Sequence, residues 1–253
     1  MQKIQSLMDL KQKNLKDQEK NSTIQKYYNC DLCKDVGLII IEQEKAQPLM
    51  RRCECVEKEF VKEKWIRAGI NPSMSNLKFS TFKAWNEASE NLRRIGTSYL
   101  KSFKEIKDNK QNSLLLCGQV GAGKTHISIA VALNLLNIGV KVMYFGFRDV
   151  VTGLKQNMLD QQYYKQNIDT YQNAEVLLID DLFKGKITDS DKNIIFEILN
   201  YRYLNNLPVI VSSELTVQEM LNIDEAIGSR IYEMCKDYTL EITKDINNNF
   251  RLK

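Results

Sequence analysis

Three sets of residues in this 253-residue chain have the types and spacing to do chemistry. The first is the run Gly118, Gln119, Val120, Gly121, Ala122, Gly123, Lys124, Thr125, followed by His126. It fits the pattern G-x-x-x-x-G-K-[ST] of a phosphate-binding loop. Gly118, Gly121 and Gly123 let backbone N–H groups converge on phosphate oxygens, because glycine tolerates the positive φ angles that an anion nest needs. Lys124 places a cation on the β- and γ-phosphates. Thr125 offers its hydroxyl to Mg²⁺ at a helix N-terminus, whose partial positive charge favours anions. The second set is Asp180-Asp181, which ends the apolar run Val176-Leu177-Leu178-Ile179. A buried strand would carry Asp180 to the sheet edge, where it can hold Mg²⁺. Asp181 can then orient or deprotonate an attacking water. The third set is Cys30-x-x-Cys33 and Cys53-x-Cys55, two thiol pairs flanking the β-like run Gly37–Ile41. Each short turn can deliver two thiolates to a tetrahedral Zn²⁺ site. The second pair is C-x-C where C-x-x-C is commoner, so an iron–sulfur cluster and ordinary or redox thiols stay open beside zinc. A segment this short has too little core to fold alone, and a metal would supply the missing stability.

Positioning these residues takes a particular order of elements. Leu114–Cys117 reads as a buried strand entering the phosphate loop, and Ile127–Leu136 has the apolar spacing of a packed helix. Val140–Phe145 is expected to be a strand, Arg148–Leu159 a helix, and Ser190–Asn206 a long helix. Pro208–Ser213 is another apolar strand with a polar end, where Ser213 or Glu214 could touch the γ-phosphate or the lytic water. Arg230 falls within a helix after that strand; from spacing alone it is a trans-acting arginine finger or a solvated charge. Thr239–Ile242 closes the series as a strand. Upstream, Val56–Ala68 reads as a helix ended by Gly69 and Pro72, and Asn91–Lys107 as a helix before the first strand. Leu77, Phe79, Phe82 and Trp85 between them are core packing or an adenine-side wall. The expected organisation is an N-terminal helical arm over 1–28, a zinc-binding domain over 29–74 and an ATPase domain over 75–253.

Composition bounds the rest. Hydrophobic residues make up 43% and charged residues 27% of the chain, ordinary for a soluble protein. Nothing approaches the ~18 consecutive apolar residues of a membrane span. The lysine-rich start has no apolar core of a secretory signal, so the expected location is cytoplasmic. In a reducing cytoplasm clustered cysteines point to metal or redox chemistry, not disulfides. A net charge of +4 permits nucleic-acid contact without requiring it.

With the phosphate loop GQVGAGKTH, the acidic strand VLLIDDL, the polar-ended strand PVIVSSE and the helix segment GSRI in this order, residues 77–243 resemble the AAA+ ATPases of the bacterial helicase-loader group, the DnaC/DnaI type, and more distantly the IstB-type transposition helpers. The cysteine-bearing N-terminus resembles the zinc-binding domain of the DnaI-type branch. The fold that this implies is α/β: an AAA+ P-loop ATPase domain, a parallel sheet flanked by helices, with a small zinc-ribbon-like domain before it. The resemblance implies an ATP-, Mg²⁺- and Zn²⁺-dependent protein that delivers the ring-shaped replicative helicase onto single-stranded DNA. The N-terminal domain would grip the helicase while ATPase domains self-associate through their nucleotide sites and contact DNA. No membrane partner is implied. Arg230 matches the family's arginine finger. Glu214 stands where many relatives carry Asn, and Phe183-Lys184-Gly185-Lys186 where relatives often have glycine. Those lysines could face single-stranded DNA or form a solvated basic loop. An IstB-type transposition helper and a nucleotide-switched adaptor with little hydrolysis are the rival functions. A small-molecule P-loop kinase would need an arginine-rich lid, and no such cluster follows residue 186.

Overall fold

The computed structural model describes residues 28–43 and 46–253. It divides into two compact units, Met1–Glu59 and Phe60–Lys253. The expected arm over 1–28 lies, apart from Tyr28, outside the described residues.

In the first unit β1 (Leu38–Gln43) pairs antiparallel with β2 (Ala46–Arg52). Leu38 faces Arg52 and Ile40 faces Met50 across the hairpin. The turn before β1 is tight: Lys34, Asp35 and Gly37 all take positive φ. The Asp35 carboxylate accepts from the N–H groups of Asn29 and Cys30 and fixes that turn. A helix, α1 (Glu54–Arg67), follows β2.

The second unit is built on a five-stranded parallel sheet. Its strands are β3 (Leu114–Gly118), β4 (Val142–Gly146), β5 (Val176–Leu182), β6 (Val209–Ser213) and β7 (Thr239–Ile242). Their spatial order is β4-β5-β6-β3-β7, which puts β3 and its loop at the centre. All recorded pairings are parallel. Parallel strands are covered on both faces and read as continuous apolar runs, and the burial follows the pleat. Leu114 and Leu116 of β3, Val176 and Leu178 of β5, and Ile210 of β6 enter one core. Leu115 and Cys117, Leu177 and Ile179, and Val209 and Val211 enter the other.

The first core is closed by α2 (Glu87–Ile106), through Leu92, Tyr99 and Phe103, and by α3 (Lys124–Asn137). Trp65, Ala68 and Ile70 also pack into it. The second is closed by α4 (Phe147–Gln156), α5 (Gln161–Asn173), α6 (Asp189–Leu204), α7 (Val217–Ile223) and α8 (Glu225–Met234). Side chains fix most of these starts: Asn86 caps α2, Thr188 caps α6 and Thr216 caps α7, each with a reciprocal bond from the third helical residue. β2 and α5 are elements that the sequence pattern does not announce.

Candidate nucleotide and metal sites

The phosphate loop runs from the end of β3 into α3. Gly118, Gly121 and Gly123 have φ of 96°, 73° and 95°, so the three glycines occupy the left-handed region that their spacing calls for. At Gly118 a side chain would also overlap the Ile242 carbonyl of β7. The loop is held at its base, where the N–H groups of Gly118 and Gln119 donate to Leu215 O and Ile242 O, both at 3.0 Å. No side chain caps α3, whose N-cap is Gly123. The first N–H groups of that helix therefore keep their capacity for an anion. Val120 and Ala122 complete the loop, Ala122 buried in the first core.

Lys124 lies inside the loop, donating from Nζ to Gly118 O at 2.9 Å and Gln119 O at 2.6 Å. It is 5% exposed. Burial draws its ammonium down to about 8, opposed by the carboxylates of Glu214 and Asp181. Thr125 Oγ1 donates to Asp180 Oδ1 at 2.9 Å. The two residues expected to share a metal thus meet across the gap between α3 and β5.

Asp180 is 5% exposed, and its burial raises the carboxyl's pKa against the lowering effect of its donors. Ser212 Oγ donates to Oδ1 and Tyr144 Oη to Oδ2, the latter at 3.2 Å. No sequence pattern points to either residue. The strand end that carries Ser212 also carries Ser213, and the pleat separates them. Ser213 is fully buried and donates to Leu182 O at 2.8 Å. Ser212 and Glu214 face the acidic pair, so Ser213, named from sequence as a γ-phosphate contact, turns its hydroxyl to the backbone of β5.

Asp181 sits at a φ of 56° where β5 breaks register with β6 between Ile179 and Leu182. Its N–H donates to Ser212 Oγ at 2.9 Å. The left-handed residue undoes the alternation of the strand and brings Asp181 to the cavity lining beside the buried Asp180. Lys184 bridges the second carboxylate and Glu214, with Nζ 2.7 Å from Asp181 Oδ2 and 3.1 Å from Glu214 Oε1. The Asp181 contact, chiefly, raises the Lys184 pKa. Lys184, read from sequence as a basic loop residue, is therefore engaged at the carboxylate pair, whereas Lys186 is exposed.

Of these groups Lys124, Thr125, Asp181 and Glu214 line a cavity of about 500 Å³. Leu77, Phe82, Trp85 and Phe250 give the same cavity an apolar wall. Phe79 packs into the first core instead. His126 fastens the wall to α3: its Nε2 is 2.9 Å from Lys78 O, and its ring meets Phe82 edge-on at 5.1 Å. Phe250 and Arg251 of the cavity lining come from a segment with no sequence signature. Arg230, on α8, is half-buried away from this cavity; its Nη1 donates to Ala226 O and its guanidinium lies over the rings of Phe196 and Tyr203 on α6.

In the first unit the Sγ atoms of Cys30, Cys33, Cys53 and Cys55 all lie within 4.8 Å of one another. Cys30 and Cys53 are 3.7 Å apart and Cys33 and Cys55 3.4 Å. A tetrahedral Zn²⁺ with Zn–S of ~2.3 Å sets its sulfurs ~3.8 Å apart, so the donor set and its spacing fit a four-thiolate zinc site. Cys117 is buried in β3, its thiol pushed up to about 12 mainly by burial, and Cys235 is buried at the end of α8.

The sheet order, the loop between its central strand and a helix, and the acidic end of the adjoining strand define an AAA+ P-loop fold. The chain belongs to the family of IstB-like ATP binding proteins, which residues 39–233 match. It is 36% identical over 223 residues to the phage-like element PBSX protein XkdC of Bacillus subtilis, covering 85% of this chain and 82% of that protein. Identity to the uncharacterized protein YqaM of the same organism is 38% over 203 residues, covering 77% of this chain and 64% of that protein. The fold is similar to that of the DnaC helicase loader, with a TM-score of 0.58 at 20% identity, covering 69% of this chain and all of the other.

Proposed function

We propose that this protein is an ATP-dependent loader that delivers a replicative DNA helicase onto single-stranded DNA. The observation that carries this reading is the fold likeness to a helicase loader across the whole length of that chain, with a four-thiolate module preceding the ATPase unit here. The likeness to a phage-element protein supports a prophage replicon as the setting.

In this reading the loop amides and Lys124 hold the triphosphate. Thr125 and Asp180 hold Mg²⁺, which would neutralise charge developing on the phosphates. Ser212 and Tyr144 fix the orientation of Asp180 through the donors they supply to it. Asp181 positions the lytic water and accepts its proton. Arg230 leaves its aromatic platform on α6 and reaches the γ-phosphate held by a neighbouring subunit. Cys30, Cys33, Cys53 and Cys55 hold Zn²⁺, and the module that they fold grips the helicase.

The test is capture of the host's replicative helicase by the full-length protein. The wild type should retain the helicase with or without ATP, and the variant with Cys53→Ser and Cys55→Ser should lose it while still binding ATP. Helicase retained equally by the cysteine variant would detach the metal module from that role. Helicase bound by neither would refute the loader reading.

A further inference from the structure

The segment 246–253 contributes two residues to the cavity but carries no recognisable motif, and its anchoring is unusual. The Phe250 N–H donates to the carbonyl of Gly121 within the phosphate loop, at 3.1 Å. Asn249 lies so close to Gly121 that any side chain there would collide with its amide oxygen. Just before α2, Asn86 Nδ2 donates to Asn247 O at 3.2 Å and to Asn248 Oδ1 at 2.8 Å. The Phe250 ring lies 5.0 Å from that of Trp85, and Lys253 Nζ stands over the same indole at 5.4 Å. The segment is thus a strap fastened at its middle to the phosphate loop and on either side of that point to Trp85 and Asn86, just before α2.

Its side chains match both linings of the cavity. Lys124, Thr125, Asp181 and Glu214 are its polar lining, which takes phosphates in the reading above. The apolar wall begun by Phe82 and Trp85 then takes the base, and Phe250 extends it. Arg251 lines the same cavity, is exposed, and has no carboxylate partner among the described residues. A cation without a counter-ion at the mouth of a phosphate site has an anion as its natural partner.

We propose that the strap completes the nucleotide site in cis, Phe250 stacking on the base beside Trp85 and Arg251 contacting the phosphates. This rests on the nucleotide-site reading and adds residues to it.

The experiment is calorimetric titration of the full-length zinc-loaded protein with Mg-ATP and Mg-ADP, for wild type, Phe250→Ala, Arg251→Ala and Arg251→Lys. Both positions are solvent-exposed, and thermal melts should match wild type in all variants. Phe250→Ala should raise Kd for both nucleotides alike, by about tenfold, as expected for loss of one base–aromatic stack. Arg251→Ala should raise Kd several-fold at low salt and less at high salt, with partial recovery in Arg251→Lys. If wild type binds ATP and the Phe250→Ala and Arg251→Ala variants bind equally well, the strap is packing alone and the proposal falls by itself. Tighter binding in these variants would make the strap an occluding element and overturn it too. A wild type that binds no nucleotide would overturn the site reading together with this one.

Discussion

Lys124 provides the most quantitative consequence of the site. Its ammonium is enclosed by the loop and donates to the carbonyls of Gly118 and Gln119, and burial lowers it to about 8. The sign follows from linkage: a lysine with a depressed pKa binds fewer protons at pH 9 in the free protein than it does beside a triphosphate, which favours the charged form. Nucleotide binding should therefore take up a proton at alkaline pH. With a free-state value near 8 and a bound-state value restored above ~10, about 0.9 proton is taken up at pH 9 and about 0.1 at pH 7. The affinity should fall correspondingly, by about tenfold or ~1.4 kcal/mol, between pH 7 and pH 9. The phosphate adds no proton change at pH 9, because its second pKa lies near ~6. Isothermal titration in two buffers of different ionisation enthalpy, at each pH, reads the uptake directly. Equal Kd at both pH values and no proton uptake at pH 9 would refute the claim that Lys124 is desolvated in the free loop and recharged by phosphate. Lys124→Ala should abolish tight binding and the uptake together.

Three further outcomes follow from other parts of the molecule. Protein purified without chelator should carry about one zinc per chain; Cys55→Ser should lose it and Cys117→Ala should keep it, as read by elemental analysis. Arg230→Ala should leave ATP affinity unchanged but lower turnover in the assembled state by about a thousandfold, since a finger acts on a neighbour's γ-phosphate; equal turnover under assembling conditions would leave the residue as a ligand of the α6 aromatics. Arg202 is fully buried and donates to the carbonyls of Tyr171, Gln172, Ala174 and Pro208. Arg202→Met should cost at least ~3 kcal/mol by orphaning these acceptors, a melting shift of about 6–12 °C.

Much of the site is legible in the sequence because its constraints are local. The three glycines of the loop, Lys124 and Thr125 lie within eight positions, and each type is dictated by a positive φ, a cation or a hydroxyl needed at that step. The strands β3, β5 and β6 are equally plain, since a parallel strand buried on both faces has to be apolar throughout. What escaped depends on distant partners or on backbone irregularity. The helix α5 is mostly polar and buries only Ile168, so its sequence has little apolar periodicity to read. The choice between Ser212 and Ser213 turns on the strand's pleat and on the left-handed Asp181, neither visible in the string Val-Ser-Ser-Glu. Tyr144 reaches Asp180 from β4, and Phe250 reaches Trp85 from the segment after β7; no short pattern joins such pairs. The charge of Lys184 points to solvent or DNA, and the register break of β5 instead returns it to Asp181 and Glu214.

The proposed function stands on an ATPase cycle coupled to helicase and DNA, with Asp181 at the reacting water. The direct measurement is steady-state ATP turnover by the full-length protein alone, with single-stranded DNA, and with DNA plus the host's replicative helicase. Wild-type turnover should rise on each addition, and Asp181→Asn should lower it by ~10²–10⁴ while leaving ATP affinity intact. Turnover indifferent to both additions, or surviving in Asp181→Asn, would contradict the account.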